Sequence, residues 1–342
     1  MSPPSKRAPA AAPKRVTIRD VADAAGVSPA AVSYALRGLH VSEETQERVR
    51  QLADELGYEA NPIARALASG RSGMVGVLGP SLEDLYQQRF VAAAGRALLD
   101  REHFALILDA GGDPPRQRRL AAQLRDQQVD GLILSPLDPD DEFWPELAAS
   151  VAVVSIGDAL NDGAAGEVLF DNRSGVKTAL EHLHGLGHRD IAVLLPPRSP
   201  TSDRPAEQIV AEESARLALR VDAVSSPYDL EGARATAREL LTGEPRPTAA
   251  FCFSDSIAHG IYAAATELGL AIPDQLSVIG YDDHPISELL SPPLTSFDWD
   301  LEHVVSVAVD MVLAAIDGEH RRRRRVVVEP VLRLRGSTAP PG

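Results

Sequence analysis

Between residues 17 and 58 apolar positions recur at helical spacing and are punctuated by cap and stop residues. Thr17 precedes an apolar run and Asp20 follows three residues later, the pairing that closes a helix N-terminus, so a first helix is predicted over about 18–25. Gly26 stops it and supplies a tight turn; Ser28 caps the next helix, and Pro29 takes the first helical position, where its missing N–H costs nothing. That helix is expected to run to about Arg37, ahead of Gly38, with Val21, Ala25, Val27, Val32 and Leu36 forming a small shared core. A third helix follows Ser42, with Val49, Leu52 and Leu56 on one face. From residue 74 onwards the pattern changes. Short apolar runs at 75–78, 104–108, 131–134, 151–154, 191–195, 249–253 and 276–280 alternate with amphipathic stretches at 86–101, 115–128, 173–186, 229–241 and 256–268. Strand–helix alternation calls for parallel sheets covered by helices on both faces, here in two similar lobes.

Helix, glycine turn and helix is the pattern of a helix-turn-helix, whose second helix can enter the major groove of DNA. A small helical bundle has the same spacing, and spacing alone leaves both readings open. Charge adds to the first. The chain of 342 residues carries a formal net charge of −15, yet residues 1–72 hold ten Lys and Arg against eight Asp and Glu, and residues 1–19 include Lys6, Arg7, Lys14, Arg15 and Arg19. A slightly basic end on an acidic body is the asymmetry expected of a chain that presents that end to a polyanion.

Length fits about two substantial domains and an appendage. No window approaches 18 consecutive apolar residues, and the N-terminus lacks the apolar stretch of an export signal, so a cytoplasmic location without membrane contact is expected. Cys252, the one cysteine, lies between Phe251 and Phe253 and is read as core packing. No Gly-x-Gly-x-x-Gly follows the first strand, no phosphate-binding Gly-Lys-Ser/Thr loop occurs, and the nine histidines show no metal-ligand spacing. No cofactor is expected, and an enzyme is not. His182, His184 and His188 read as surface or capping residues. Arg321 to Arg325 read as a solvated loop, with an electrostatic contact to the acidic body as the alternative. The proline-rich start and the Pro340-Pro-Gly342 tail are expected to be disordered.

The run Val16-Thr-Ile-Arg-Asp-Val-Ala-Asp-Ala-Ala-Gly-Val-Ser-Pro-Ala-Ala-Val-Ser-Tyr-Ala-Leu-Arg-Gly38 closely resembles the DNA-binding headpiece of the LacI/GalR family. The resemblance continues through Val41-Ser-Glu-Glu-Thr45, Leu56-Gly-Tyr58 and Asn61-Pro-Ile-Ala-Arg-Ala-Leu-Ala68, and extends over the body. It implies a helix-turn-helix headpiece at 16–60 behind a basic arm at 1–15, a hinge helix at 61–72, and a body at 73–342. The body would be periplasmic-binding-protein-like: two lobes of doubly wound parallel sheet, about 73–160 with 290–325 and about 161–289 with 326–338, joined by three crossovers.

The same resemblance places base-reading positions on Pro29, Ala30 and Tyr34. Pro29 and Ala30 offer only apolar contact, and Tyr34 stands where an arginine is frequent, which removes a bidentate contact to guanine. Arg37 could reach the DNA backbone. Thr17, Ser28, Ala31, Ser33, Ser42, Tyr58 and Asn61 match positions at or near phosphates, which set register but not sequence. Leu67 matches the leucine that wedges between base steps in the minor groove, with Ala64 small enough for two hinge helices to approach; the alternative is an ordinary linker leucine. An eight-residue hinge helix is too short to be stable alone, so it is expected to form only when bound.

In open parallel sheets ligands bind at the carboxyl ends of the strands, and two lobes bring two sets of ends around one cleft. By resemblance the effector-binding candidates are Asp282, Arg204, Ser254 and Asp158. The match is partial, because Ser254 replaces an asparagine, Asp158 is displaced by one position, and Ser81-Leu-Glu-Asp84 replaces an Asn-Pro motif. Asp282 and Asp255 could equally cap the segment that follows them, and Asp171-Asn172 is read as structural. The implied protein is a homodimeric regulator, a repressor at a near-palindromic duplex operator, responsive to a sugar or nucleoside. A regulator that has lost small-molecule control, a solute-binding protein and an enzyme on the same fold are the alternatives.

Overall fold

The computed structural model describes residues 16–36, 38–58, 70–197, 205–318 and 323–342. It divides into two compact units, residues 1–72 and 73–342.

In the first unit α1 (Ile18–Ala25), α2 (Pro29–Leu36) and α3 (Glu43–Leu56) enclose a core made only of small aliphatic side chains: Val21, Ala22, Ala25, Val32, Ala35, Val49 and Ala53 are buried. Asp20 accepts hydrogen bonds from both the amide (2.7 Å) and the hydroxyl (2.7 Å) of Thr17, fixing the start of α1. Gly26 ends it at φ +63°, in the left-handed region, and Val27 donates back to the Ala22 carbonyl at 3.1 Å. Arg48 of α3 donates to the Ala25 carbonyl (2.9 Å), a cation placed at the end of α1 where the helix dipole favours it. Leu56, expected in the core, is exposed, because Ala53 and Val49 already cover the contact with α1 and α2.

The second unit starts with β1 (Met74–Gly79), α4 (Leu85–Leu99), β2 (Phe104–Asp109), α5 (Pro114–Asp126), β3 (Gly131–Leu134), α6 (Phe143–Ala148), β4 (Ala152–Gly157) and β5 (Gly166–Phe170). There follow α7 (Asn172–Leu186), β6 (Asp190–Leu195), α8 (Pro205–Arg216), β7 (Arg220–Ser225), α9 (Leu230–Thr242), β8 (Ala249–Cys252), α10 (Asp255–Leu268) and β9 (Ser277–Ile279). After a short 3-10 turn at Pro285–Leu289 come β10 (Ser296–Asp298), α11 (Leu301–Ile316), β11 (Arg324–Val328) and β12 (Val331–Arg333). The strands form a six-stranded parallel sheet, β11-β5-β4-β3-β1-β2, and a four-stranded parallel sheet, β7-β6-β8-β9, with β10 and β12 pairing antiparallel. Two doubly wound lobes result, each discontinuous in sequence.

The sheets move the lobe boundaries from those the sequence suggested. The first lobe keeps its sheet to Phe170, beyond residue 160, and takes in β11 to Val328, beyond residue 325. Glu167 hides β5 from the hydrophobic pattern. It is fully buried in that strand and is held by Arg323 and by Arg325, the latter at 2.9 Å. Arg323 and Arg325 therefore follow the electrostatic alternative and not a solvated loop, whereas Arg321 and Arg322 lie outside the described residues.

The C-terminal tail is ordered, contrary to its composition. Val278 donates to the Ser337 carbonyl (2.8 Å), Ala339 donates to Ser277 Oγ (3.0 Å), and the buried His188 holds the Ala339 carbonyl through Nε2 (2.9 Å) while Nδ1 meets Thr248 Oγ1 (2.9 Å). Burial holds the His188 imidazole below its ordinary pKa, so the neutral ring is the docked form. Cys252 is buried and its thiol is pushed up by desolvation, in line with a packing role. Among the described residues no helix is long and apolar enough to cross a membrane.

Candidate nucleic-acid interface and effector cleft

The local chemistry at the start of α2 decides what the headpiece can show to a partner. Ser28 Oγ accepts from the Ala31 amide (3.2 Å), which caps the helix and leaves Ser28, Pro29 and Ala30 exposed at its tip. Tyr34, one turn on, is 41 % exposed, and its ring stands edge-on to His40 at 5.5 Å. Ala31 and Ser33 are half-buried beneath that face. Ser42 caps α3 through the Thr45 amide (3.4 Å) and meets the Thr45 hydroxyl at 2.9 Å. Tyr58 is half-buried against the headpiece core, and burial raises its pKa. Thr17 is exposed with its hydroxyl turned to Asp20. Arg37, Asn61, Ala64 and Leu67 lie outside the described residues, as does Arg204.

In the body a cleft of 310 Å³ opens between the lobes at the carboxyl ends of the strands. Ser81, Ser135, Asp158 and Phe170 line it from the first lobe, with Gln87 from the first turn of α4 and Tyr228 from the loop after β7. Asp282 lies in an adjoining pocket of 250 Å³ with Tyr86, Arg89 and Trp299. The two spaces are neighbours: Tyr86 and Gln87 are consecutive, and the Phe170 ring packs on Trp299 at 4.6 Å.

Ser254 lines neither space itself. It is buried, donates to Asp84 Oδ1 (2.8 Å), accepts from the Ser256 amide (3.1 Å) and hydrogen-bonds Asp282, so it sits at a junction between the lobes, one residue behind the cleft wall. Ser256 Oγ adds a second bond to Asp84 Oδ1 (3.1 Å) and accepts from the Leu85 amide (3.0 Å). Asp255 supports the same junction. Its carboxylate accepts from the amides of Tyr281 (3.0 Å) and His284 (2.8 Å) and from the hydroxyls of Ser287 (2.6 Å) and Ser296 (2.5 Å), so it organises the 281–287 loop. Asp282 Oδ2 accepts from the Asp255 amide at 3.0 Å. Burial pushes the Asp84 carboxyl up to about 6, its hydroxyl partners opposing the shift, and burial followed by the charges of Asp84 and Asp255 pushes Asp282 well above the usual range.

Asp171 caps α7 through the Ser174 amide (3.0 Å), and Asn172 accepts from the Tyr281 hydroxyl (3.2 Å), the structural role expected; a side chain at Gly175 would overlap that hydroxyl. Asn172 nonetheless lines the cleft. The sequence reading missed Gln87, Phe170 and Tyr228. Phe170 ends a strand that went unrecognised, and a rule applied to every strand end would have found Ser81 and Ser135.

Residues 17–61 match the model of the bacterial regulatory proteins of the lacI family, and residues 180–338 match the periplasmic binding protein-like domain. The ribose operon repressor of Haemophilus influenzae is 32 % identical over 325 residues, which cover 94 % of this chain and 98 % of that protein. The chain belongs to the LacI family. The HTH-type transcriptional repressor PurR of Vibrio campbellii is 30 % identical over 328 residues, 94 % of this chain and 98 % of that one. A crystal structure of the lac repressor dimer bound to operator and the anti-inducer ONPF superposes with a TM-score of 0.82 at 28 % identity, over 95 % of this chain and all of that one. This LacI-family chain is thus a DNA-binding transcriptional regulator.

Proposed function

We propose that the protein acts in the cytoplasm as a homodimeric repressor at a near-palindromic operator and that a small molecule in the interlobe cleft sets its affinity for DNA. The observation that carries this reading is the pairing of an exposed, capped α2 tip with an interlobe cleft bridged by buried hydrogen bonds. Pro29 and Ala30 supply apolar contact, such as to a thymine methyl, and the Tyr34 hydroxyl reaches a base or a phosphate. Thr17, Ser28, Ala31, Ser33, Ser42 and Tyr58 set the register on the backbone, with Arg37 and Asn61. Much of the specificity then comes from hinge residues Ala64 and Leu67 and from the deformability of the duplex.

A dimer fits the apolar groups left on the body. Leu99, Phe104 and Ile107 on α4 and the free edge of β2, and Leu230, Ile286 and Leu289 (82 % exposed) on the second lobe, are large hydrophobic side chains at the surface. A related repressor dimer bound to operator supports the same assembly.

Asp158, Asp282 and Arg204 are the effector contacts proposed. A ligand that favours one lobe arrangement by 1–3 kcal/mol of coupling changes operator affinity roughly 5- to 150-fold. The presence of an open cleft favours retained effector control over its loss.

Selection of bound sequences from a random duplex pool with the full chain tests the reading. A two-fold symmetric site is expected, bound with an affinity that falls about a thousandfold or more as salt is raised from about 50 to 200 mM. Equal affinity for a half-site and a symmetric site would overturn it.

A further inference from the structure

Of the three residues offered as base readers, only one can make a directed contact. Pro29 and Ala30 carry no side-chain donor or acceptor, whereas Tyr34 carries a hydroxyl. Ala30 and Tyr34 lie four residues apart on α2, hence on one helix face, and both are exposed. The aim of that phenol therefore decides how much hydrogen-bonded base reading this face can do. An exposed tyrosine swings about two side-chain torsions, and immobilising it on binding subtracts from whatever contact it makes. A guanidinium brings its own fixed fork of donors; a phenol has one donor and takes its direction from what holds the ring.

The structure supplies a neighbour that limits the swing. The His40 ring stands edge-on to the Tyr34 ring, with centroids 5.5 Å apart and planes at 83°, an arrangement that aromatic quadrupoles favour. His40 comes from the turn between α2 and α3, and it reaches Tyr34 because that turn folds back over the end of α2. Leu39 donates to the Tyr34 carbonyl (2.9 Å), Gly38 donates to the Ala35 carbonyl (3.1 Å), and Gln46 of α3 donates through Nε2 to the Val41 carbonyl (3.1 Å). The turn is thus pinned on both sides of His40. At φ +52° the His40 backbone is in the left-handed region, which a residue bearing a side chain enters uncommonly. His40 is exposed and lies outside the buried core, so its ring shapes the surface and not the packing of the helices.

We propose that His40 is a positioning residue for DNA reading: its imidazole buttresses the Tyr34 ring and aims the phenolic hydroxyl at one base pair in each half-site. This rests on the reading of the α2 tip as the base-contacting surface and names the residue that gives Tyr34 its direction.

The test is a double-mutant cycle in the full chain. Binding is measured to the symmetric duplex selected from the random pool, to the same duplex with each base pair changed in turn, and to a random-sequence duplex of equal length. Tyr34→Ala is expected to flatten the preference at the base pair that the phenol reads. His40→Ala is expected to lower the preference at that same pair by about two- to tenfold, the range of an aromatic pair, with headpiece helicity and affinity for the random duplex unchanged. His40→Phe, which keeps a ring on the same backbone, should restore most of the preference. In the Tyr34→Ala background, His40→Ala should add nothing. An equal cost of His40→Ala in both backgrounds, or a loss shared by the random duplex with a salt slope lower by about one, would make His40 an independent phosphate contact and overturn the proposal. A His40→Phe chain as impaired as His40→Ala would overturn it too. The two layers separate at Tyr34. If Tyr34→Ala leaves every base preference intact, the reading of the tip fails and the positioning role with it; a preference that depends on Tyr34 but survives His40→Ala refutes the positioning role alone.

Discussion

The headpiece and the interlobe junction solve opposite problems. The headpiece folds on seven small buried aliphatic residues, and its polar bonds are nearly all local, as in the Thr17–Asp20 and Ser28–Ala31 caps. The junction is built from large rings, Tyr281 packed between Phe253 (5.1 Å) and Trp299 (5.2 Å), and from carboxylates whose partners lie far away in sequence, as Asp84 and Ser254 do. A thin core with local caps keeps a surface presentable to DNA. A buried polar network tied across two lobes is costly to leave partly satisfied, so a ligand that changes which of its bonds are made can favour one lobe arrangement over another.

Removing the anchor of the junction gives the largest expected effect. Asp255→Ala strands two amides and two hydroxyls and should cost the body about 4 kcal/mol in urea unfolding, with headpiece helicity unaltered. Next comes pH. The folded molecule prefers Asp84 protonated, with its carboxyl raised from 3.8 to about 6, so the contribution of this group to the stability of the body should fall by about 3 kcal/mol as pH rises through about 4 to 6 and change no further above. Asp84→Asn should flatten that slope; a slope equal to that of the parent would rule Asp84 out as its source.

On the other side of the comparison, Val32→Ala in the headpiece core should cost about 2 kcal/mol of headpiece stability and weaken operator binding, while the thermal midpoint of the body stays put. Ser28→Ala removes one cap and should cost about 1 kcal/mol, read as lower helicity and slightly weaker DNA binding.

The same contrast explains what could be read from the chain before its fold was known. Thr17, Gly26, Ser28 and Pro29 act within four residues of themselves, so the three headpiece helices were legible almost to the residue. In the body the strands with continuous apolar runs were legible, whereas β5 and β7 were not. β5 carries Glu167, whose burial makes sense only with Arg323 and Arg325 more than 150 residues on. β7 is an edge strand with mostly exposed side chains and has no apolar run to betray it. The tail after Arg335 reads as disordered by composition, and only His188, Ser277 and Val278 order it. The cleft was legible as a place, at strand ends, but the bond between Ser254, placed there by resemblance, and Asp84 on the other lobe was not.

The side chains of Pro29 and Ala30 stand clear of the headpiece core, so the packing of the three helices does not depend on them. If this tip reads bases as proposed, exchanging either for a longer side chain would change which base steps are preferred and leave the headpiece core untouched. On that proposal, new target sites can be explored by single codon changes at this tip without jeopardising the scaffold.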